Sequence, residues 1–220
     1  TGDFNVFVGD YAGHATTDAD NCIAIGHAAM SSNVTSGGDG TVAIGRDALV
    51  SLTSGAGNIA VGFESLKTIS TGTYCTAVGY ESGELITGNL NTLIGYQAAK
   101  LLASGTSNAV VGARAFYAAD GSETNNTIIG TDAGNAINHD DTDGNVIIGH
   151  DAGSGGGGAL IGNIIIGRNA MNSTGNNTHT GTVAIGFDAL TALTSGAENT
   201  AIGYQSQLYQ TDGANNTTLG

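Results

Sequence analysis

Apolar residues recur along this chain in short triplets. "VAI" at Val42–Ile44, "IAV" at Ile59–Val61 and "TLI" at Thr92–Ile94 each run directly into a glycine. With that glycine as position zero, the pattern falls on Gly9, Gly26, Gly45, Gly62, Gly79, Gly95, Gly112, Gly130, Gly149, Gly167, Gly186, Gly203 and Gly220, at intervals of 16 to 19 residues. Position −1 is Val, Ile or Leu in all thirteen motifs, and position −3 is mostly Val, Ile or Thr. Alternate residues of a strand share a face, and β-branched side chains suit a pleated strand. The spacing therefore predicts thirteen short strands, with −1 and −3 turned into the interior of each coil. A regular period of this length is the signature of a solenoid. The predicted fold class is all-β: a parallel β-solenoid, or β-roll, of about thirteen 16–19-residue repeats, forming a single array over residues 1–220.

The remaining columns assign jobs to other positions. An invariant glycine at zero predicts a tight bend or a close backbone approach that a Cβ would block. Position +3 is Ala or Ser from Ala12 to Ser206, so space is restricted there as well. A second glycine often stands at −7, as in Gly55, Gly72 and Gly88, and reads as the turn before the strand. Position −4 is Asn in nine of the thirteen motifs, from Asn5 to Asn216. Coils stacked ~4.8 Å apart would bring these amides into a ladder. Cys22, Thr41, Cys75 and Thr182 stand in the same column and should interrupt it.

Position −2 lies opposite −1 and −3, yet it too is apolar, from Phe7 to Ala201, with Thr218 the one departure. Strands apolar on both faces are normally buried on both. The reading that follows is a homotrimer of parallel chains, joined through the column that includes Ala43, Ala60, Ala77, Ile128, Ile147 and Ile165. Positions −2 and +4 also trade volume. Ala43 and Ala60 go with Leu49 and Leu66, whereas Phe7 and Ile147 go with Gly13 and Gly153. Such trading predicts that the two columns touch. Ala77 with Gly83 and Val110 with Phe116 run against it.

Composition narrows the function classes. The 220 residues include 37 glycines, no proline and no tryptophan, which suits a backbone committed to ladder hydrogen bonds. Five basic against nineteen acidic residues give a net charge of −14, which argues against nucleic acid as a partner. No apolar run is long enough to insert in a membrane. Cys22 and Cys75 stand three repeats apart, ~14 Å at strand spacing, too far for a disulfide. "TGDFN" at the start matches later pre-strand turns such as "TGNLN", and the chain stops on a motif glycine. Solenoids need polar caps, so the expectation is an array cut at both ends.

At "TAIGYQS", "TLIGYQA", "TAVGYES" and "IAVGFES" the sequence resembles the repeats of bacteriophage tail-fibre proteins, especially those ending in an intramolecular chaperone domain. It is also similar to the head repeats of trimeric autotransporter adhesins, where "VAIG" and a spaced small residue recur along a left-handed parallel β-roll. The resemblance covers nearly the whole chain. It implies a left-handed, trimeric fibre segment carried on a virion or at a cell surface, outside the cell. The period here is longer than in the adhesin heads.

No catalytic constellation stands out. His14, His27, His139, His150 and His179 lack metal-protease spacing, and "GSGGGG" from Gly153 lacks the lysine of a phosphate loop. Two acidic features are candidates for a divalent cation. One is the +2 column with Asp47, Glu64 and Glu81 in successive repeats, where like charges face one another. The other is "DDTDGN", with Asp140, Asp141 and Asp143, which resembles a calcium loop but lacks its terminal Glu. Side chains splayed into water are the simpler explanation of both. The leading expectation is a structural, adhesive fibre segment without enzymatic activity, presenting or supporting a surface for a host glycan or protein. The alternatives are an ice-binding solenoid, which needs an outward Thr column, and a polysaccharide-binding or -cleaving module, which needs paired carboxylates in a groove.

Overall fold

The structure is a computed structural model and describes residues 2–220; Thr1, the first residue of the "TGDFN" turn, lies outside them. Thirteen three-residue strands form one sheet: Val6–Val8, Ile23–Ile25, Val42–Ile44, Ile59–Val61, Thr76–Val78, Thr92–Ile94, Ala109–Val111, Thr127–Ile129, Val146–Ile148, Ile164–Ile166, Val183–Ile185, Thr200–Ile202 and Thr217–Leu219. Each pairs in parallel with the strand one coil before and one coil after. The register sets like positions side by side, Ala43 on Ala60 and Ile128 on Ile147. Among the described residues the only helical segment is a single 3₁₀ turn at Ser36–Gly38. The chain is a β-solenoid of about thirteen turns, as the period predicts.

The facing of the strands is the reverse of the expectation. Position −2 points into the coil: Ala43, Ala60, Ala77, Leu93, Ile128, Ile147 and Ile165 are fully buried within one chain. Positions −1 and −3 point outward, with Val78, Ile94 and Ile129 between 37% and 39% exposed and Ile59 and Ile164 at 39%. The reason lies in the rest of each coil. Positions +3, +4 and +7 (Ala48, Leu49 and Leu52 in one coil; Ser65, Leu66 and Ile69 in the next) are all buried and close over the −2 side chain. Both +2 and +4 take left-handed backbone, Asp47 at φ +57° and Leu49 at φ +52°, and this alternation folds the chain back beneath its own strand. The column Ala43, Ala60, Ala77, Ile128, Ile147, Ile165 is therefore the core of a single chain, and the trimer contact assigned to it is corrected. The sheet face left to solvent is the one formed by −1 and −3.

Positions −2 and +4 do share one site, and the sharing extends between coils. A Cβ placed on Gly153 would come 3.3 Å from both Ile147 in its own coil and Ile165 in the next. The apparent exceptions close the same way. The space over Gly83, unfilled by Ala77, is taken by Leu93 from the following coil, 2.5 Å from a Cβ there, and by Leu66 from the preceding one. Phe116 likewise reaches over Gly134, 3.6 Å from a Cβ at that position. Volume is conserved along the stack, not within each repeat.

The Asn ladder is present and buried. The run begins at Asn91, and from Asn108 through Asn126 and Asn145 to Asn163 each Nδ2 donates to the Oδ1 of the Asn one coil earlier at 2.8–3.2 Å. The same Oδ1 accepts the backbone N–H of the next Asn, at 2.9–3.1 Å. Each Nδ2 also reaches the carbonyl of position −7 in the following coil, such as Glu123 O and Thr142 O. Cys75 breaks the side-chain chain, but its thiol donates to the equivalent carbonyl, Gly88 O, at 3.3 Å. Cys22 does so to Gly38 O at 3.4 Å, and both thiols are free and buried.

The motif glycine is required on two counts. Gly26 has φ +128°, and a Cβ there would stand 2.7 Å from Gly45 O of the coil above. Position −7 departs from the expected turn. In the four successive 18- and 19-residue coils it holds Glu123, Thr142, Leu160 and His179, all with fully buried side chains. The extra residues widen the coil there. A second short parallel sheet, Leu160–Ile161 with His179–Thr180, lines the widened part.

Candidate functional site

The outer surface carries three lengthwise strips, each built by one column of the repeat. The first is the outward sheet face. Its −1 residues are aliphatic in every coil, and its −3 residues mix Val and Ile with Thr76, Thr92, Thr127, Thr200 and Thr217. Thirteen coils in register make this strip continuous along the rod.

The second strip is the +1 column, which the sequence reading passed over. Stacking aligns Arg46, Phe63, Tyr80 and Tyr96. The guanidinium lies 5.7 Å from the Phe63 ring centre, and the rings follow at 4.9 and 5.7 Å with interplanar angles of 12° and 21°. Arg168, Phe187 and Tyr204 repeat the arrangement farther along. Four residues at one offset from the motif glycine were a readable signal. The rings turn their faces to each other and their edges to solvent, so they offer little open π-surface to a flat ligand.

The third strip is the acidic +2 column, and here the chain's own cations settle the like-charge problem. Glu64, Glu81 and Glu84 each bring a carboxylate oxygen within 4.8 Å of the others. Lys67 Nζ stands 2.9 Å from Glu64 and 3.8 Å from Glu84; Lys100 Nζ stands 2.5 Å from Glu81 and 3.3 Å from Glu84. Burial pushes the Glu81 carboxyl up, but bonds from Lys100 and from the Gln97 amide outweigh it and hold it below the ordinary carboxylate value. The bond to Glu81 in turn raises Lys100. Asp47 is met by its neighbour Arg46 at 3.1 Å, and Asp132 by Arg114 at 2.7 Å.

The "DDTDGN" acids are spread along one turn. Asp143 accepts from Asn125 Nδ2 at 2.8 Å and Thr124 Oγ1 at 2.9 Å in the coil below, and these bonds lower its carboxyl. Asp140 accepts from the Ser122 backbone N–H at 3.3 Å, and Asp141 is exposed. A shallow depression is lined by Asp120, Asn138, His139 and Asp140. Beside Asp132, His150 and Asp151 complete a second group of ligand-type side chains within 4.8 Å, with His150 Nδ1 2.8 Å from Asp151. Asp132 in that group is already engaged by Arg114 and by the Asn135 amide at 2.7 Å.

No helix of the described residues is long and apolar enough to cross a membrane. No family model and no curated protein matches this chain in sequence.

Proposed function

We propose that this chain is a structural, adhesive segment of a surface-projecting fibre, carried on a virion or a cell surface. The observation that supports it is the unbroken parallel stack of thirteen coils, whose conspicuous surface is an aliphatic sheet face. Twelve coil-to-coil steps at ~4.8 Å make a rod roughly 58 Å long. Such a rod holds a binding tip away from its base, or offers its own side to a host glycan or protein. Its stability grows by repetition, since each coil satisfies its neighbours' backbone groups.

The proposed assembly is a parallel homotrimer with left-handed coils, joined through the −1/−3 face. A stripe of partly exposed Val and Ile runs along the whole rod, and soluble monomers seldom leave a long contiguous apolar surface open. Cyclic symmetry allows each copy to use the same stripe. The acidic strip then remains in solvent and keeps assembled fibres apart. Antibodies raised against the segment test the reading: they should decorate projections on intact particles or cells of the source. Labelling confined to the cytosol would overturn it.

One alternative gains support from the facing of the strands. Thr76, Thr92, Thr127, Thr200 and Thr217 point outward, as an ice-binding face requires. They occupy five of thirteen −3 positions, and −1 never holds Thr, so no two-column hydroxyl lattice forms. Thermal hysteresis in the purified segment would promote this reading over the fibre.

A further inference from the structure

The stack of rings in the +1 column contains one pair of phenols. Among the described residues, Tyr80 and Tyr96 are the only two tyrosines whose rings stack on each other, with centres 5.7 Å apart and planes 21° from parallel. The other face of Tyr80 meets Phe63 at 4.9 Å, and Tyr204 meets Phe187 at 5.5 Å. Phenylalanine stacks as closely as tyrosine here, so packing in the column does not call for a hydroxyl.

The backbone on both sides of Tyr96 holds the pair in register. Gly95 N–H donates to Val78 O at 2.8 Å, and Gln97 N–H donates to Tyr80 O at 2.9 Å. Both side chains leave one column of the stack, so the ring carbons flanking one hydroxyl lie alongside those flanking the other. Tyr80 is 45% exposed and Tyr96 51%, which leaves the ring edges open to a small oxidant and the rings free to tilt.

A phenol that loses one electron and one proton becomes a phenoxyl radical, with its unpaired spin shared onto the carbons ortho to oxygen. Two such radicals side by side join through a carbon–carbon bond between those carbons. We propose that Tyr80 and Tyr96 form an oxidative cross-linking site, coupled into a biphenol by hydrogen peroxide acting through a haem peroxidase. Each phenol gives up one electron and one proton; one peroxide takes both pairs and leaves as two waters. The ring hydrogens at the new bond then move to the oxygens, which restores both phenols. The chain is lighter by two hydrogen atoms, and one covalent bond joins successive coils. Holding the partners in place replaces an encounter in solution with a step inside one molecule. The staple ties Thr76–Val78 to Thr92–Ile94 and, like a disulfide, restricts the unfolded chain.

Treatment of the purified full chain with hydrogen peroxide and a haem peroxidase tests this. The expected product has biphenol fluorescence and runs as a single chain under denaturing conditions. It weighs two hydrogens less, and its digest holds one linked peptide pair carrying Tyr80 and Tyr96. Linkage chiefly between chains, or chiefly through Tyr74 or Tyr209, which are more exposed at 62% and 87%, would overturn the proposal. Collision or exposure would then decide the coupling. Tyr80→Phe keeps a ring in the stack, as Phe63 does, and should lower the yield by about tenfold or more, whereas Tyr204→Phe should leave it unchanged. Undiminished coupling in Tyr80→Phe would refute the pairing. Coupled wild type should unfold at a higher denaturant concentration than uncoupled wild type, a shift absent from treated Tyr80→Phe; equal midpoints would contradict the staple.

Discussion

The Gln207 amide donates a 2.7 Å hydrogen bond to Thr218 Oγ1 in the following coil. These two residues are the polar departures from the +4 and −2 columns, and they depart together. Elsewhere the shared site is filled by complementary apolar volumes; here a hydrogen bond does the same work. Thr218→Val should cost about 1 kcal/mol by leaving the amide without its partner. Adding Gln207→Leu should recover that loss, since the pair then resembles Leu190 and Ala201 one coil earlier. Denaturant unfolding of the single and double variants reads the coupling, and strictly additive effects would show that the two sites are independent.

Asn126 lies in the middle of the longest ladder run and uses its side chain in four bonds. Nδ2 donates to Asn108 Oδ1 and Thr142 O, and Oδ1 accepts from the N–H and Nδ2 of Asn145. Asn126→Ala leaves buried groups unpaired on both sides and should destabilise by about 3 kcal/mol or more. Cys75→Asn does the opposite. It joins Asn58 to the run that begins at Asn91, and should stabilise by about 1 kcal/mol in thermal or denaturant unfolding.

Two glycines with positive φ should respond differently to alanine. Gly26→Ala sets a Cβ 2.7 Å from the Gly45 carbonyl, so the coils must separate and the chain should fail to fold stably. At Gly40, φ +68°, a Cβ meets nothing within 4 Å. Gly40→Ala should cost only about 1 kcal/mol, the penalty of left-handed backbone with a side chain. Equal losses at the two sites would count against the stacking geometry.

The coil count, the parallel stack and the Asn ladder were legible in the sequence because each follows from a fixed offset repeated along the chain. The facing of the strands was not. Where both faces are apolar, as from Val146 to Ile148, alternation gives the period but not the sign. The sign came from +3, +4 and +7, where Ala48, Leu49 and Leu52 must be enclosed by something, and only −2 lies across from them. The partners of the acidic column were hidden for a related reason. Lys67 and Lys100 lie at other offsets from the motif glycine, so their ammonium groups between Glu64, Glu81 and Glu84 emerge only once the coil closes.

Glu123 gives the stability a pH dependence of definite sign. Burial raises its carboxyl, and Asp140 and Asp120 add to this, against weaker lowering by backbone bonds. Its Oε2 accepts the Gly121 N–H at 3.1 Å, and the buried Oε1 has no partner. A raised carboxyl binds its proton more tightly when folded, so its contribution is complete below the ordinary Glu value and is lost as pH climbs through the raised one. Glu123→Gln should flatten that loss and stabilise the chain at pH 7 by about 1 kcal/mol. Denaturant midpoints at pH 4 and pH 7 read the difference, and a variant less stable than wild type at pH 7 would contradict it.

The central claim is that the −1/−3 face joins copies while the −2 column is internal core, and sedimentation equilibrium at micromolar concentration tests it most directly. Ile129 and Ile128 are neighbours on one strand, one 39% exposed and the other fully buried. The account predicts a wild-type mass three times that of the chain, a folded monomer for Ile129→Lys, and loss of folded structure for Ile128→Lys. A wild-type segment that stays a folded monomer would contradict the assembly, and a folded Ile128→Lys would contradict the core.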